Sequence, residues 1–311
     1  MVKLLPIVML GVLIVSAFGA SVTASTKNQG STGRNVAAIS PYVDELDQSM
    51  TDYDGTLPLG YANLGSWVNL SIAQSFIPQK EVLTRVQFFM GRNASTVSPC
   101  VLAVRENLTG ANLAMISLDP AAFPLVNGSP TEEQLAWVTF NFSDIWVTPG
   151  QTYYMVVYTT FAVNNFYWVS GNGSNMYLNG TVYLSTDNGV TWSEFTNADG
   201  CFKTYGLREA FLSITPKGGL FGASFTVKNI GNVTAWDVSM NVSVNGGIFG
   251  LIHSQHLIEV QELAPNAEAQ VMTGTLFGLG SITMSLTVQG ANVREMSKEV
   301  TAKIFLIYIK I

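Results

Sequence analysis

From residue 211 onward the chain alternates apolar and polar positions with a period of two. Phe221, Ala223, Phe225 and Val227 fall on one side, and Gly222, Ser224, Thr226 and Lys228 on the other. Trp236, Val238, Met240, Val242 and Val244 repeat the pattern, as do Ile282, Met284, Leu286 and Val288. Successive side chains of extended backbone point to opposite faces, so each run predicts a strand with one buried and one wet face. Asn229-Ile230-Gly231-Asn232 supplies the turn between the first two runs, and Asn245-Gly246-Gly247 ends the second. A boundary falls near 206–210, and residues 208–311 read as a small immunoglobulin-like β-sandwich.

Upstream, residues 41–207 read as many short strands. Val82–Phe88, Val101–Val104, Trp137–Phe142, Tyr153–Tyr158 and Phe166–Val169 are rich in β-branched and aromatic residues. Clusters of Gly, Pro, Asn and Asp separate them, and Pro149-Gly150 and Asn188-Gly189 mark tight turns. No stretch carries the 3.6-residue period of an amphipathic helix. The expected fold is all-β: a jelly-roll sandwich followed by the smaller sandwich.

The N-terminus changes the picture of where the chain works. Lys3 precedes an apolar run from Leu4 to Ala20, followed by small residues at Gly19-Ala20 and Val22-Thr23-Ala24. Residues 1–24 read as an export signal cleaved after Ala20 or Ala24, or as an uncleaved anchor. Residues 25–40, rich in Ser, Thr, Gly and Asn, read as a flexible linker. At the other end, apolar Ile304–Ile311 is too short to cross a bilayer and is expected to form a final buried strand. The expected location is extracellular or cell-surface, with membrane contact only if the N-terminal segment stays.

Charge narrows the partners. Charged residues are 12% of the 311, against roughly 25% in typical soluble proteins, and the net charge is −6. Nucleic acid, which needs a dense basic surface, is excluded as an expected partner. Hydrophobic residues at 48% are ample for two cores, so disorder of the whole is excluded too.

Two resemblances follow from particular residues. Phe225-Thr226-Val227-Lys228-Asn229-Ile230-Gly231, with Ala235-Trp236-Asp237-Val238 and Phe277-Gly278-Leu279-Gly280-Ser281-Ile282-Thr283, resembles CARDB-type domains, immunoglobulin-like modules of cell-adhesion-related surface proteins. Ala73–Pro78, Val147–Tyr154 and Cys201–Gly206 resemble a jelly-roll module of exported prokaryotic proteins, itself similar to carbohydrate-binding modules. The resemblances imply a prokaryotic, archaeal-type surface protein; fold alone does not fix its ligand.

Several motifs are candidates for chemistry. Cys100 and Cys201 could pair in an oxidising compartment or stay as buried thiols. Asn-x-Ser/Thr sequons stand at Asn69, Asn93, Asn107, Asn141, Asn172, Asn179, Asn232 and Asn241, and a weaker one, followed by Pro130, at Asn127. Chance would give roughly four, so glycosylation of several is expected. Ser185–Trp192 matches the Asp-box pattern Ser-x-Asp-x-Gly-x-Thr-Trp. It predicts a hairpin; a sialidase-type propeller would need repeated blades. His253 and His256 lack a third ligand for catalytic zinc and read as an exposed loop. Asp44, Glu45, Asp47, Asp52 and Asp54 form an acidic surface segment, with calcium near Asp52 and Asp54 as the alternative. No Gly-x-Ser-x-Gly, His-Glu-x-x-His or phosphate-binding loop occurs. Aromatics offer the best ligand platform: Tyr167, Trp168, Tyr177 and Tyr183 flank a Gly- and Asn-rich loop, and sugars stack on exposed rings. The same rings could instead fill the core.

The expectation is therefore a non-catalytic adhesion or glycan-binding protein of a prokaryotic envelope, with polysaccharide or other surface proteins as partners. A structural envelope or filament subunit is the alternative, and a secreted hydrolase a distant third.

Overall fold

The computed structural model describes residues 44–63, 67–162 and 164–311. The expected signal and linker segments lie outside the described residues.

The architecture is all-β, as the alternation predicts. Fourteen strands build the first part. They are β1 (Glu45–Met50), β2 (Gly55–Asn63), β3 (Trp67–Phe76), β4 (Val82–Asn93), β5 (Cys100–Arg105), β6 (Asn112–Leu118) and β7 (Leu125–Val126). After them come β8 (Ala136–Trp146), β9 (Tyr153–Thr159), β10 (Phe166–Asn172), β11 (Val182–Ser185), β12 (Ser193–Phe195), β13 (Asp199–Gly200) and β14 (Phe202–Leu207). Hydrogen bonds link them along β1-β14-β4-β10-β2-β3-β9-β5-β6. β7 and β8 add to β4, β13 to β10, β11 to β3 and β12 to β11. The two halves of this path enclose one core. Val86, Phe88 and Met90 of β4 face it while Arg85, Gln87 and Phe89 face away. From the other half come Leu102 and Val104 of β5 and Met155 and Val157 of β9. An aromatic chain runs through its middle: Phe88 meets Phe140 edge-on at 6.5 Å, Phe140 meets Phe123 at 6.2 Å, and Phe123 meets Tyr167 at 4.6 Å.

Eight strands follow: β15 (Leu212–Gly218), β16 (Ala223–Asn229), β17 (Ala235–Gly246), β18 (Ile252–Leu263), β19 (Glu268–Met272), β20 (Gly278–Gly290), β21 (Val293–Leu306) and β22 (Tyr308–Lys310). A three-stranded sheet β15-β16-β19 faces a five-stranded sheet β18-β17-β20-β21-β22 across a second core. Phe225, Val227, Met240, Val242, Leu286 and Val288 fill it, the inward positions read from the sequence.

Four expectations need correction here. Trp236 is only half-buried: the left-handed backbone at Asp237 (φ 50°) breaks the extended alternation without shifting the β17–β18 register, and Ala235 takes the inward position instead. Phe221, with φ 64°, lies in a turn and is exposed. Ile304–Ile311 is a hairpin rather than one buried strand: Ile304 and Ile309 face the core, and Phe305, Leu306 and Tyr308 do not. His253 and His256 sit in strand β18 rather than a loop, exposed and three residues apart.

Buried asparagines outside any sequon hold the irregular backbone. Asn165 accepts the N–H groups of Val97 and Ser98 and donates to Thr160 O. Asn229 donates to Val233 O and Leu263 O and accepts from Gly231 N–H. Asn292 does the same across the junction of the two parts.

Cys100 and Cys201 are both buried and free, so the bridge considered from sequence is not made. Cys100 lies on β5, paired with Leu118 and Thr159, while Cys201 lies between β13 and β14 with its thiol near Asp52 O. Burial pushes both thiols up, Cys201 to about 11, so neither is a thiolate source at neutral pH.

Candidate functional site

The four ring residues named from sequence do not form one site. Tyr167 points into the core and donates its hydroxyl to Ser98 O at 2.6 Å. Trp168 takes the opposite face of β10, edge-on to Phe166. Tyr177 is buried; its hydroxyl donates to Gln48 Oε1 at 2.9 Å and accepts from Ile77 N–H. Burial pushes its phenol up to about 12. Only Tyr183 stands at a cleft.

That cleft, of about 440 Å³, lies on the outer side of the β9-β3-β11 sheet. Its base is a pair of tyrosines from the two flanking strands. Tyr154 of β9 lies opposite Ser75, and Tyr183 of β11 lies opposite Ala73, on either side of β3. Their rings meet edge-on at 5.7 Å. Around them stand neutral polar groups from Thr152, Asn175, Asn179, Thr181 and Asn197, and one carboxylate, Glu194, directly across from Tyr183 on β12. Partial burial, with Tyr154 and Glu194 adding to it, raises the Tyr183 phenol, so that ring stays a neutral hydrogen-bonding platform.

The rim is built rather than incidental. Gly180 comes so close to β3 that a Cβ there would sit 2.1 Å from Ser75 O. Ser75 Oγ clasps the same segment, accepting from Thr181 N–H at 2.8 Å. Beneath, buried Asp199 accepts from Tyr177 N–H at 2.7 Å and from Gln74 Nε2 at 3.3 Å. Gln74 Oε1 in turn accepts from Gly200 N–H. A buried carboxylate so partnered fixes the loop that carries Asn175 and Asn179. Tyr154 escaped the sequence reading, yet its signal was present: Tyr153, Met155 and Val157 alternate inward, which leaves Tyr154 outward.

The Asp-box hairpin adjoins this sheet through β11 and β12. Asp187 accepts from Thr191 Oγ1 at 2.6 Å, from the N–H groups of Thr191 and Val190, and from Ser185 Oγ at 2.7 Å. Asn188 and Gly189 supply the left-handed turn, and Trp192 Nε1 closes it on Gly189 O. The Thr191 hydroxyl, then the Thr191 N–H and Ser185, hold the Asp187 carboxyl down to about 2. A depressed folded value means these bonds are fully present above the ordinary carboxylate range near 3.8 and are lost as pH falls through about 2. A carboxyl NMR titration should therefore find the Asp187 midpoint near 2, and Thr191→Val should move it back toward 3.8.

The acidic segment is largely tethering. Asp44 binds Arg85 through both oxygens, at 2.8 and 2.9 Å; Glu45 pairs with Lys80; Asp47 accepts from Gln79 N–H. Asp54 accepts from Gly173 N–H, and Asp52 is exposed. Among the described residues no group of three His, Cys, Asp or Glu gathers, so the calcium considered near Asp52 and Asp54 finds no converging side-chain ligands. A second, mostly apolar cavity of about 190 Å³ lies beside Asp54, Val169 and Ala198, with few polar groups left free to orient a ligand.

Of the sequons, Asn107, Asn141, Asn179 and Asn232 are exposed, as is Asn127. Asn69, Asn93, Asn172 and Asn241 are half-buried with their amides engaged, by Asn188, Ser95, Ser174 N–H and Gln255 respectively.

No family model and no curated protein matches the chain. Among solved structures it is similar to a calcium-binding mutant of β-glucuronidase 2 from Bacteroides uniformis, at 7% identity and TM-score 0.22, over 84% of this chain and 33% of that one. A protein described as a β-galactosidase from Bacteroides fragilis is similar at 11% identity and TM-score 0.21, over 82% and 41%. The chain thus spans less than half of either, and likeness at this level carries no functional argument.

Proposed function

We propose that the first sandwich binds a saccharide in the Tyr154–Tyr183 cleft, and that the chain is a non-catalytic adhesion or glycan-binding component of a prokaryotic cell surface. The observation carrying this reading is the cleft's chemistry. Two aromatic rings are surrounded by side-chain amides and hydroxyls; the rings can stack on sugar C–H faces and the polar groups pair with sugar hydroxyls. The jelly-roll and CARDB-type resemblances and the export-type N-terminus support the setting.

Asn179 sits in the cleft wall and is also a sequon. A glycan there would fill the mouth, so ligand binding belongs to molecules unmodified at Asn179. The test is calorimetric titration of the unglycosylated chain with a panel of polysaccharides, with and without calcium. Saturable binding is expected, weakened about 10-fold or more in Tyr183→Ala, consistent with loss of a ring worth about 1.5 kcal/mol. Trp168→Ala, on the other sheet, should leave it unchanged. A folded protein that binds no member of the panel contradicts the reading.

A further inference from the structure

The end of the second sandwich remote from the first carries an apolar tip. Three loops there share a short motif of an aliphatic residue, Phe and Gly: Leu220-Phe221-Gly222, Ile248-Phe249-Gly250 and Leu276-Phe277-Gly278. Backbone bonds stitch them together. Leu276 N–H donates to Phe221 O, Phe221 N–H to Ile307 O, and Gly247 N–H to Ser281 O. Leu276 turns into the core, but the rest point out: Phe249 is 92% exposed, Leu251 78%, Phe277 71%, Phe305 68% and Leu220 66%. Phe221 and Phe249 both hold positive φ, near 60°, a conformation bulky residues rarely adopt. Scattered exposed apolar residues are ordinary; a contiguous set on one end marks an interaction surface.

Charge identifies the partner. The stretches forming this end, 217–225, 244–254, 272–284 and 301–311, contain no Asp or Glu, although the chain is net −6. They do contain exposed Lys217, Lys303 and Lys310. Lys303 and Lys310 lie directly opposite each other across β21–β22, a like-charge pair that an anionic partner relieves. Apolar prongs rimmed by lysine match the boundary between acyl chains and anionic headgroups. A symmetric contact between two copies fits worse, since it sets one lysine rim against another. We infer that this tip docks onto an anionic lipid surface, with Phe249, Leu251 and Phe277 entering the acyl boundary and Lys303 and Lys310 meeting the phosphates.

The experiment reads the tip itself, so an N-terminal anchor cannot mimic the result. An environment-sensitive fluorophore is placed on the full chain at Phe249→Cys, and in a control at Gln289→Cys near the opposite end. The native thiols are buried and stay unlabelled. Phosphatidylcholine vesicles with phosphatidylglycerol should blue-shift the probe at 249 and leave that at 289 unchanged. Lys303→Glu with Lys310→Glu should weaken the response on the order of 10-fold or more. No shift at 249 overturns the inference, whether or not the chain binds the vesicles elsewhere. A shift in protein alone that grows with protein concentration assigns the tip to self-association, and also overturns it. A vesicle response indifferent to the charge reversal overturns the anionic-lipid assignment.

Discussion

Phe140→Ala will lower the stability of the first sandwich by about 3–5 kcal/mol. Phe140 is fully buried on β8, and its ring touches those of Phe88 and Phe123 in the aromatic chain that ends at Tyr167. The substitution removes the ring's transfer free energy and leaves a cavity walled by β-sheet on both sides, which cannot collapse without shifting the register of β4 and β8. Two edge contacts are lost as well. Urea unfolding followed by tryptophan fluorescence suits the measurement, since every tryptophan except Trp236 precedes residue 208. The midpoint should fall with little change in slope. Phe140→Leu should recover much of the loss; an effect below about 1 kcal/mol for the alanine would show that the chain is not packed around this ring.

Asn292→Ala has the second largest expected effect, about 3 kcal/mol or more, though it removes only a small amide. The Asn292 side chain is fully buried. Its Oδ1 accepts from Trp236 N–H at 2.9 Å, and its Nδ2 donates to Arg208 O at 2.8 Å and to Thr234 O at 2.9 Å. Alanine removes the partner of all three part-buried backbone groups at once, and a backbone group left unpaired away from water costs about 1–3 kcal/mol. Asn292→Asp separates hydrogen bonding from volume. It keeps the acceptor for Trp236 but turns an oxygen toward two carbonyls, so it should be about as harmful as alanine. Amide exchange at Ala210, whose N–H donates to Asn292 O, should quicken in both variants.

Much of this fold was legible in the chain. Strict alternation in β16, β17 and β20 named their inward residues because each strand has one wet face, and the Asp-box hairpin followed from Asp187 and Gly189. Legibility failed where backbone geometry broke the period. The positive φ at Asp237 left Trp236 off the core face, and the tight turn at Leu306 split the apolar C-terminal run into a hairpin with exposed rings. The candidate site was half legible. Tyr183 was named, but Tyr167 and Tyr177 were drawn inward by hydroxyl partners far away in sequence, at Ser98 and Gln48. Asparagine was read as sequon or turn, whereas Asn165, Asn229 and Asn292 are buried clamps. Their partners are carbonyls and amides that no local pattern reveals.

The cleft is the centre of the account, and chemical-shift mapping of the labelled protein with a bound oligosaccharide tests it most directly. Shifts confined to residues 152–154, 175–183 and 194–197 are the predicted result. Saturable binding with shifts around Phe166–Trp168, or anywhere away from Tyr154 and Tyr183, would contradict it.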